Sequence, residues 1–223
     1  MRVAVLIPVL DEEEALPRVL ADLPRGLRVL ACDNGSTDGS MAVAEAHGAE
    51  IVRWPQRGYG GAVLHGIRAL ATDPPDVVVV LDGDYSFYAD DLPRLIGPIE
   101  RGEADMVLGE RLSLAEPGAL TPQQVVGNRL ANFLIWLDSG HRYLDQGPFR
   151  AIRYDRLVEL GMSDLTWGWN VEMQMKALQH GLRVLEVPVR CRPRIGRSKI
   201  SGTVSGVLRA GAKITWACWK YRR

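Results

Sequence analysis

Short apolar runs alternate along the first 110 residues with segments in which apolar positions recur every three or four residues. Val3–Val9 is a continuous apolar run, and Glu13–Leu23 follows with a helical pattern. Arg28–Cys32 reads as a strand, after which Ser36 or Thr37 caps a helix that ends at Gly48. Ile51–Trp54 is a short strand and Gly61–Ala71 a helix. Val77-Val78-Val79-Val80-Leu81 has no polar interruption, the pattern of a central parallel strand buried on both faces. Asp90–Arg101 is helical with Gly102 as its stop, and Met106-Val107-Leu108 supplies a fifth strand. This alternation predicts an α/β fold, a Rossmann-like, doubly wound and mostly parallel sheet.

The second half is less regular. Its pattern predicts a helix near Gln123–Leu137, a strand near Phe149–Arg153, a helix over Val171–His180, a strand over Arg183–Arg190 and a last helix from Thr203. No internal repeat and no linker composition interrupts it, so residues 1–223 read as one domain.

Composition narrows the class. Of 223 residues 47% are hydrophobic and 24% charged, enough apolar surface for a large core. Cys32, Cys191 and Cys218 are odd in number and far apart, which excludes a disulfide framework or thiolate zinc site and suits a reducing cytosol. The opening apolar run is too short for a signal segment, and no stretch of 18 apolar residues occurs. The net charge of zero hides an asymmetry: after residue 182, eleven basic side chains face the single acid Glu186. A basic segment of this size predicts an anionic partner such as phosphate, a lipid surface or nucleic acid, or else a solvated basic face.

Candidate chemistry gathers at the strand ends, where ligands of open α/β sheets bind. The four exits are Pro8-Val9-Leu10-Asp11-Glu12, Asp33-Asn34-Gly35-Ser36-Thr37-Asp38, Arg57-Gly58-Tyr59-Gly60-Gly61 and Asp82-Gly83-Asp84. Each alone is compatible with a turn, but turns do not need acids and glycines at every carboxyl-side exit. Asp82 and Asp84 leave an apolar strand at i, i+2 spacing, so both side chains can project to one side while Gly83 lets the backbone turn. Two hard carboxylates so placed suit Mg²⁺ or Mn²⁺ with further oxygens from a diphosphate. Other chemistries lack their motifs: there is no P-loop lysine, complete GxGxxG, GxSxG or HExxH, and the four histidines are isolated.

Taken in order, these segments resemble the family 2 glycosyltransferases of GT-A fold, most closely the dolichyl-phosphate mannose or glucose synthase-like branch. Asp82-Gly83-Asp84 matches the DxD metal motif, Asp33–Asp38 the DDGSxD segment, Gly147-Pro148-Phe149-Arg150 the SGFR segment, and Arg194–Lys199 the RxxGxSK loop. The resemblance implies an inverting, metal-dependent transfer of a hexose from a nucleoside-diphosphate sugar, UDP-glucose or GDP-mannose in type, to a polyprenyl phosphate. It also implies that residues 1–110 form the nucleotide-sugar half and 111–202 the acceptor half. Pro8, Leu10, Glu12, Asp33, Arg57, Gly58, Gly60, Asp82 and Gly83 would contact the donor, and Asp82 and Asp84 the Mg²⁺ or Mn²⁺ ion. Arg111, Arg150, Arg194, Ser198 and Lys199 would hold the acceptor phosphate and the diphosphate. Asp84, Arg150 and Glu172 are the catalytic candidates, with Glu172 orienting the acceptor or serving as general base toward a hydroxyl. The competing reading of Glu172 is a surface glutamate paired with Lys176 one turn on.

Residues 203–223 place apolar side chains near a 3.6 period beside Trp216, Trp219 and five basic residues. Such a basic amphipathic helix can lie in an anionic membrane interface or dock on the domain. The expectation is a cytoplasmic enzyme peripheral to the inner face of the membrane, with no nucleic-acid partner. Asn34, Ser86, Gln146 and Pro148 depart from the family pattern. The alternatives are the same donor chemistry with a soluble hydroxyl acceptor, and a non-catalytic nucleotide-sugar-binding or scaffold module.

Overall fold

The computed structural model describes residues 1–196, 212–213 and 215–222. Seven strands form one sheet: β1 (Val3–Val9), β2 (Arg28–Asp33), β3 (Glu50–Arg53), β4 (Val77–Val80), β5 (Met106–Glu110), β6 (Arg150–Arg153) and β7 (Val184–Pro188). Their order is β3-β2-β1-β4-β6-β5-β7, and β6 alone runs antiparallel to its neighbours. Apolar runs become central strands because both faces are covered. Along β1, Ala4 and Leu6 enter one core while Val5, Ile7 and Val9 enter the other. The valines of β4 divide in the same way, and none is more than 1% exposed.

The helices flanking the sheet include α1 (Leu16–Asp22), α2 (Ser40–Ala46), α3 (Tyr59–Ala69), α4 (Leu92–Glu100), α5 (Pro122–Ser139), α6 (Tyr154–Glu159) and α7 (Trp169–Gln179). The first core takes α3, α5 and α7; the second takes α1 and α4. α5 starts on a capping box, Thr121 accepting from Gln124 N and Gln124 from Thr121 N, and stops at Gly140 with φ 73°. The helix expected from Ser36 or Thr37 instead begins at Ser40, because Ser36 Oγ accepts from Asp11 N and Thr37 donates to Asp11 Oδ1. α6 had no clear periodic signal: it is six residues long and buries only Leu157.

β6 decides how the site is built. Because it opposes the parallel strands, its first residue, Arg150, lies at their carboxyl edge, pairing with Val80 and Leu108. The 144–149 loop therefore arrives where the Asp82 and Glu12 loops leave. β7, parallel to β5, delivers residues 189–195 to the same edge.

Among the described residues no helix is long and apolar enough to cross a membrane. In the C-terminal segment Ala212, Lys213 and residues 215–220 are helical. Ala217, Cys218 and Tyr221 join the first core, while Trp216 and Trp219 remain 41% and 60% exposed. The stretch 203–211 of the expected helix lies outside the described residues, as do Ser198 and Lys199.

Candidate active site

A cleft of about 1310 Å³ opens over the carboxyl edge of the sheet. Pro8, Leu10, Glu12, Arg57, Gly58, Asp82, Gly83, Asp84, Arg111 and Arg194 line it, so ten of the expected site residues converge from the ends of β1, β3, β4 and β5 and from the 189–195 segment. Asp84 is held by its own loop: Ser86 N donates to its Oδ1 at 3.0 Å, and Tyr85 takes the positive φ of 63° that turns the chain. Arg192 steadies that turn, stacking 3.3 Å over the Tyr85 ring and donating to the Tyr85 carbonyl. Burial beneath the cleft, with Asp84 beside it, pushes the Asp82 carboxyl up to about 7. Tyr59 stands 3.5 Å from Asp82, its phenol raised by burial and by that carboxylate.

Glycines let two segments meet. A Cβ on Gly60 would fall 2.0 Å from the Asp164 carbonyl and one on Gly58 2.2 Å from that of Leu165. Gly61 N donates to the Leu165 carbonyl, fixing the start of α3 under the 164–167 loop. Gly60 thus packs beneath that loop and does not line the cleft.

Several expected roles change. Asp33 does not reach the cleft; its Oδ1 accepts from Gly35 N and Ser36 N, and it is the neighbouring Asn34 that lines the wall and accepts from Gly58 N. Arg150 is fully buried, donating to the carbonyls of Gly147 and Asn170. Desolvation lowers it to about 10, so it stays charged beneath the cleft, positioning the loop that holds Gln146 against the start of α7 at Asn170. Glu172 is also fully buried. It accepts from Ser163 N, Ser163 Oγ and Asp164 N and pairs with Lys176 at 2.8 Å. The Lys176 pairing holds, yet the residue is internal: it clamps the 163–164 turn and lies outside the cleft lining.

Arg111 lines the cleft but grips fully buried Asp145 with two nitrogens, at 2.7 and 2.8 Å. Arg194, expected to hold the acceptor phosphate and the diphosphate, reaches two acids of the cleft, Glu12 and Asp84. Its Nη2 is 3.0 Å from Glu12 Oε1 and its Nη1 3.3 Å from Asp84 Oδ2. Part of the basic excess after residue 182 is paired with acids of the fold, Arg183 with Asp105, Arg190 with Asp91 and Lys213 with Asp164.

The sequence reading missed the far wall. Val126, Gly127, Asn128 and Leu130 of α5 line the cleft with Pro148, Thr166 and Trp167. Val126, Leu130, Phe133 and Leu137 recur at helical spacing and are 66%, 43%, 51% and 60% exposed, so an apolar stripe runs out of the cleft along α5. The spacing was available in the sequence; that the stripe faces out was not.

No group of three or more His, Cys, Asp or Glu forms a ready-made metal cage among the described residues. Asp82 and Asp84 do fit a cation that keeps water and draws its remaining oxygens from a diphosphate, and a positive group, the Arg194 guanidinium, already sits against Asp84.

A sequence model described as Glycosyl transferase family 2 matches residues 4–153, from β1 through β6. The chain belongs to this family. It is 41% identical over 208 residues to an uncharacterized glycosyltransferase of Mycobacterium tuberculosis, covering 92% of each chain. It is 30% identical over 245 residues to the undecaprenyl-phosphate mannosyltransferase of Micrococcus luteus, covering 97% of this chain and 96% of that one. Among solved structures, glucosyl-3-phosphoglycerate synthase of Mycobacterium tuberculosis, in complex with Mn²⁺, UDP and glucosyl-3-phosphoglycerate, superposes with a TM-score of 0.72. That likeness, at 23% identity over 98% of this chain and 80% of that one, shows a shared GT-A fold.

Proposed function

We propose that this family 2 enzyme is an inverting transferase that moves a hexose from a nucleoside-diphosphate sugar to a polyprenyl phosphate, working peripherally on the cytoplasmic face of a membrane. The observation that carries the reading is the two-ended cleft: a carboxylate floor at Asp82 and Asp84, and an apolar wall that continues onto the exposed stripe of α5. The first end suits a diphosphate with its cation, the second a hydrocarbon chain. Kinship to an undecaprenyl-phosphate mannosyltransferase supports the acceptor class, and the Mn²⁺ and UDP of the glucosyl-3-phosphoglycerate synthase complex support the donor class.

Glu12, Asn34, Arg57 and the Gly58 backbone border the nucleotide. Asp84 with Asp82 would hold Mg²⁺ or Mn²⁺, which would supply charge neutralisation for the departing diphosphate. Arg111 lends positive charge to the acceptor side of the floor. A phosphate acceptor is anionic at neutral pH and needs no strong base, which agrees with a Glu172 committed to the 163–164 turn. Val126, Leu130, Pro148 and Trp167 exclude water around the acceptor chain.

The test is a transfer screen with UDP-glucose and GDP-mannose against undecaprenyl phosphate and soluble acceptors, in Mn²⁺ or EDTA. Lipid-linked product that appears only with the cation is expected. Product on a soluble hydroxyl acceptor and none on the lipid overturns the acceptor assignment.

A further inference from the structure

The geometry points to Arg194 as an internal stand-in for the cation, which makes the empty site refuse free metal and accept the metal only together with a nucleoside diphosphate. The inference rests on the donor chemistry proposed above and adds a selectivity to it. One guanidinium spans two carboxylates from different loops, Glu12 Oε1 at 3.0 Å and Asp84 Oδ2 at 3.3 Å. These carboxylates are only 9% and 11% exposed, and the arginine side chain 30%, so the contact is screened from water on most sides.

Its backbone is pinned beside the metal loop. Arg192 N donates to the Ser86 carbonyl at 2.9 Å and Ile195 N to the Asp84 carbonyl at 3.0 Å. Phe87 and Cys191 form an antiparallel bridge, and Arg192 is locked over Tyr85 and Tyr88. With residues 191–195 tied to residues 84–87 along their length, Arg194 has little choice of neighbour. It bridges Asp84 and Glu12.

A divalent ion arriving alone must displace this charge, and it brings no new partner for the arginine. An ion arriving on a diphosphate brings phosphate oxygens that a planar guanidinium binds at least as well as a carboxylate. Arg194 then exchanges Asp84 for phosphate, and the cation takes the vacated carboxylate. The site thereby discriminates the metal–nucleotide complex from the free ion without a dedicated metal cage, consistent with the lack of one among the described residues.

Mn²⁺ binding followed by electron paramagnetic resonance of the free ion, with no sugar donor present, tests this. Wild type should bind Mn²⁺ weakly alone and tightly with UDP or GDP. Arg194→Ala should bind Mn²⁺ alone on the order of tenfold more tightly, narrowing that gap. Guanidinium chloride at sub-denaturing concentration should compete with Mn²⁺ in the variant and not in the wild type, a response that a mere change of local field would not give. Arg194→Lys, which keeps the charge but cannot span both carboxylates, should fall between, and it carries the test if the alanine variant fails to fold. Unchanged affinity for Mn²⁺ alone in the variants, or a gain that guanidinium does not reverse, overturns the inference and leaves the donor reading standing. A wild type that takes no Mn²⁺ even with UDP and GDP overturns both.

Discussion

At the scale of single residues, the distinction that matters is between carboxylates that face the cleft and carboxylates that hold it open. Asp84 offers Oδ2 to the cleft because Ser86 N occupies only Oδ1. Glu172 has no such free side: three donors and Lys176 converge on it, and the turn they fix carries Thr166 and Trp167 into the lining. Glu172→Gln should therefore behave as a loosened support. It should cost about 1–3 kcal/mol in urea unfolding, since hydrogen bonds to a charged group are weakened rather than deleted. The KM for the acceptor should rise as the 163–167 turn relaxes, while the pH–rate profile keeps its shape. A variant of native stability that loses one limb of that profile would restore Glu172 as a base.

At the scale of elements, an ion pair joins the starts of two strands far apart in sequence, β5 and β7. Asp105, just before β5, accepts from Arg183 N and Nε at 3.0 Å and from its Nη2 at 2.9 Å, tying the start of β5 to the start of β7. These bonds hold the Asp105 carboxyl down at about 2, below the value of about 3.9 expected in the unfolded chain. A lowered folded-state pKa stabilises above the unfolded value and is lost as pH falls, so this contribution is whole above about pH 4 and fades towards pH 2. Arg183 is 56% exposed, so solvent screening keeps the contribution small. Asp105→Asn should remove it: urea-unfolding curves of the two proteins should differ at pH 5 and draw together near pH 2. A constant gap across that range would show that the pair does not titrate as described.

At the scale of the whole molecule, several of the exposed apolar side chains lie around one opening. Val126, Leu130 and Trp167 line the cleft, Phe133 and Leu137 extend it along α5, and Trp216 lies over Lys213 at its edge, 3.9 Å from nitrogen to ring centre. Part of the basic excess after residue 182 is already paired with acids of this chain, which leaves the apolar rim as a separate reason for membrane contact. Phe133→Ser with Leu137→Ser should leave the melting temperature near native, since both side chains are exposed. It should weaken co-sedimentation with vesicles of anionic and neutral phospholipid by about tenfold or more, chiefly in the salt-resistant part. Equal co-sedimentation of both proteins would remove α5 from the membrane contact and leave the stripe without its proposed role.

The sequence by itself determined the sheet and its chemistry-bearing edge. Runs such as Val77–Leu81 have no polar position, so they must be buried on both faces, and a parallel sheet must then present its strand exits together. Asp82, Asp84, Glu12 and Gly58 were legible for that reason. Tertiary structure alone decided what depends on direction and partner. β6 runs antiparallel, which turns Arg150 inward and brings Gln146 to the wall. Glu172 meets a turn nine residues upstream, and Arg194 reaches Glu12 across 182 positions of chain. Periodicity reports which side of an element is apolar, but it cannot report which side chain from elsewhere will fill the remaining side. For that reason Asp33 and Asn34, adjacent and both polar, could exchange the roles expected of them.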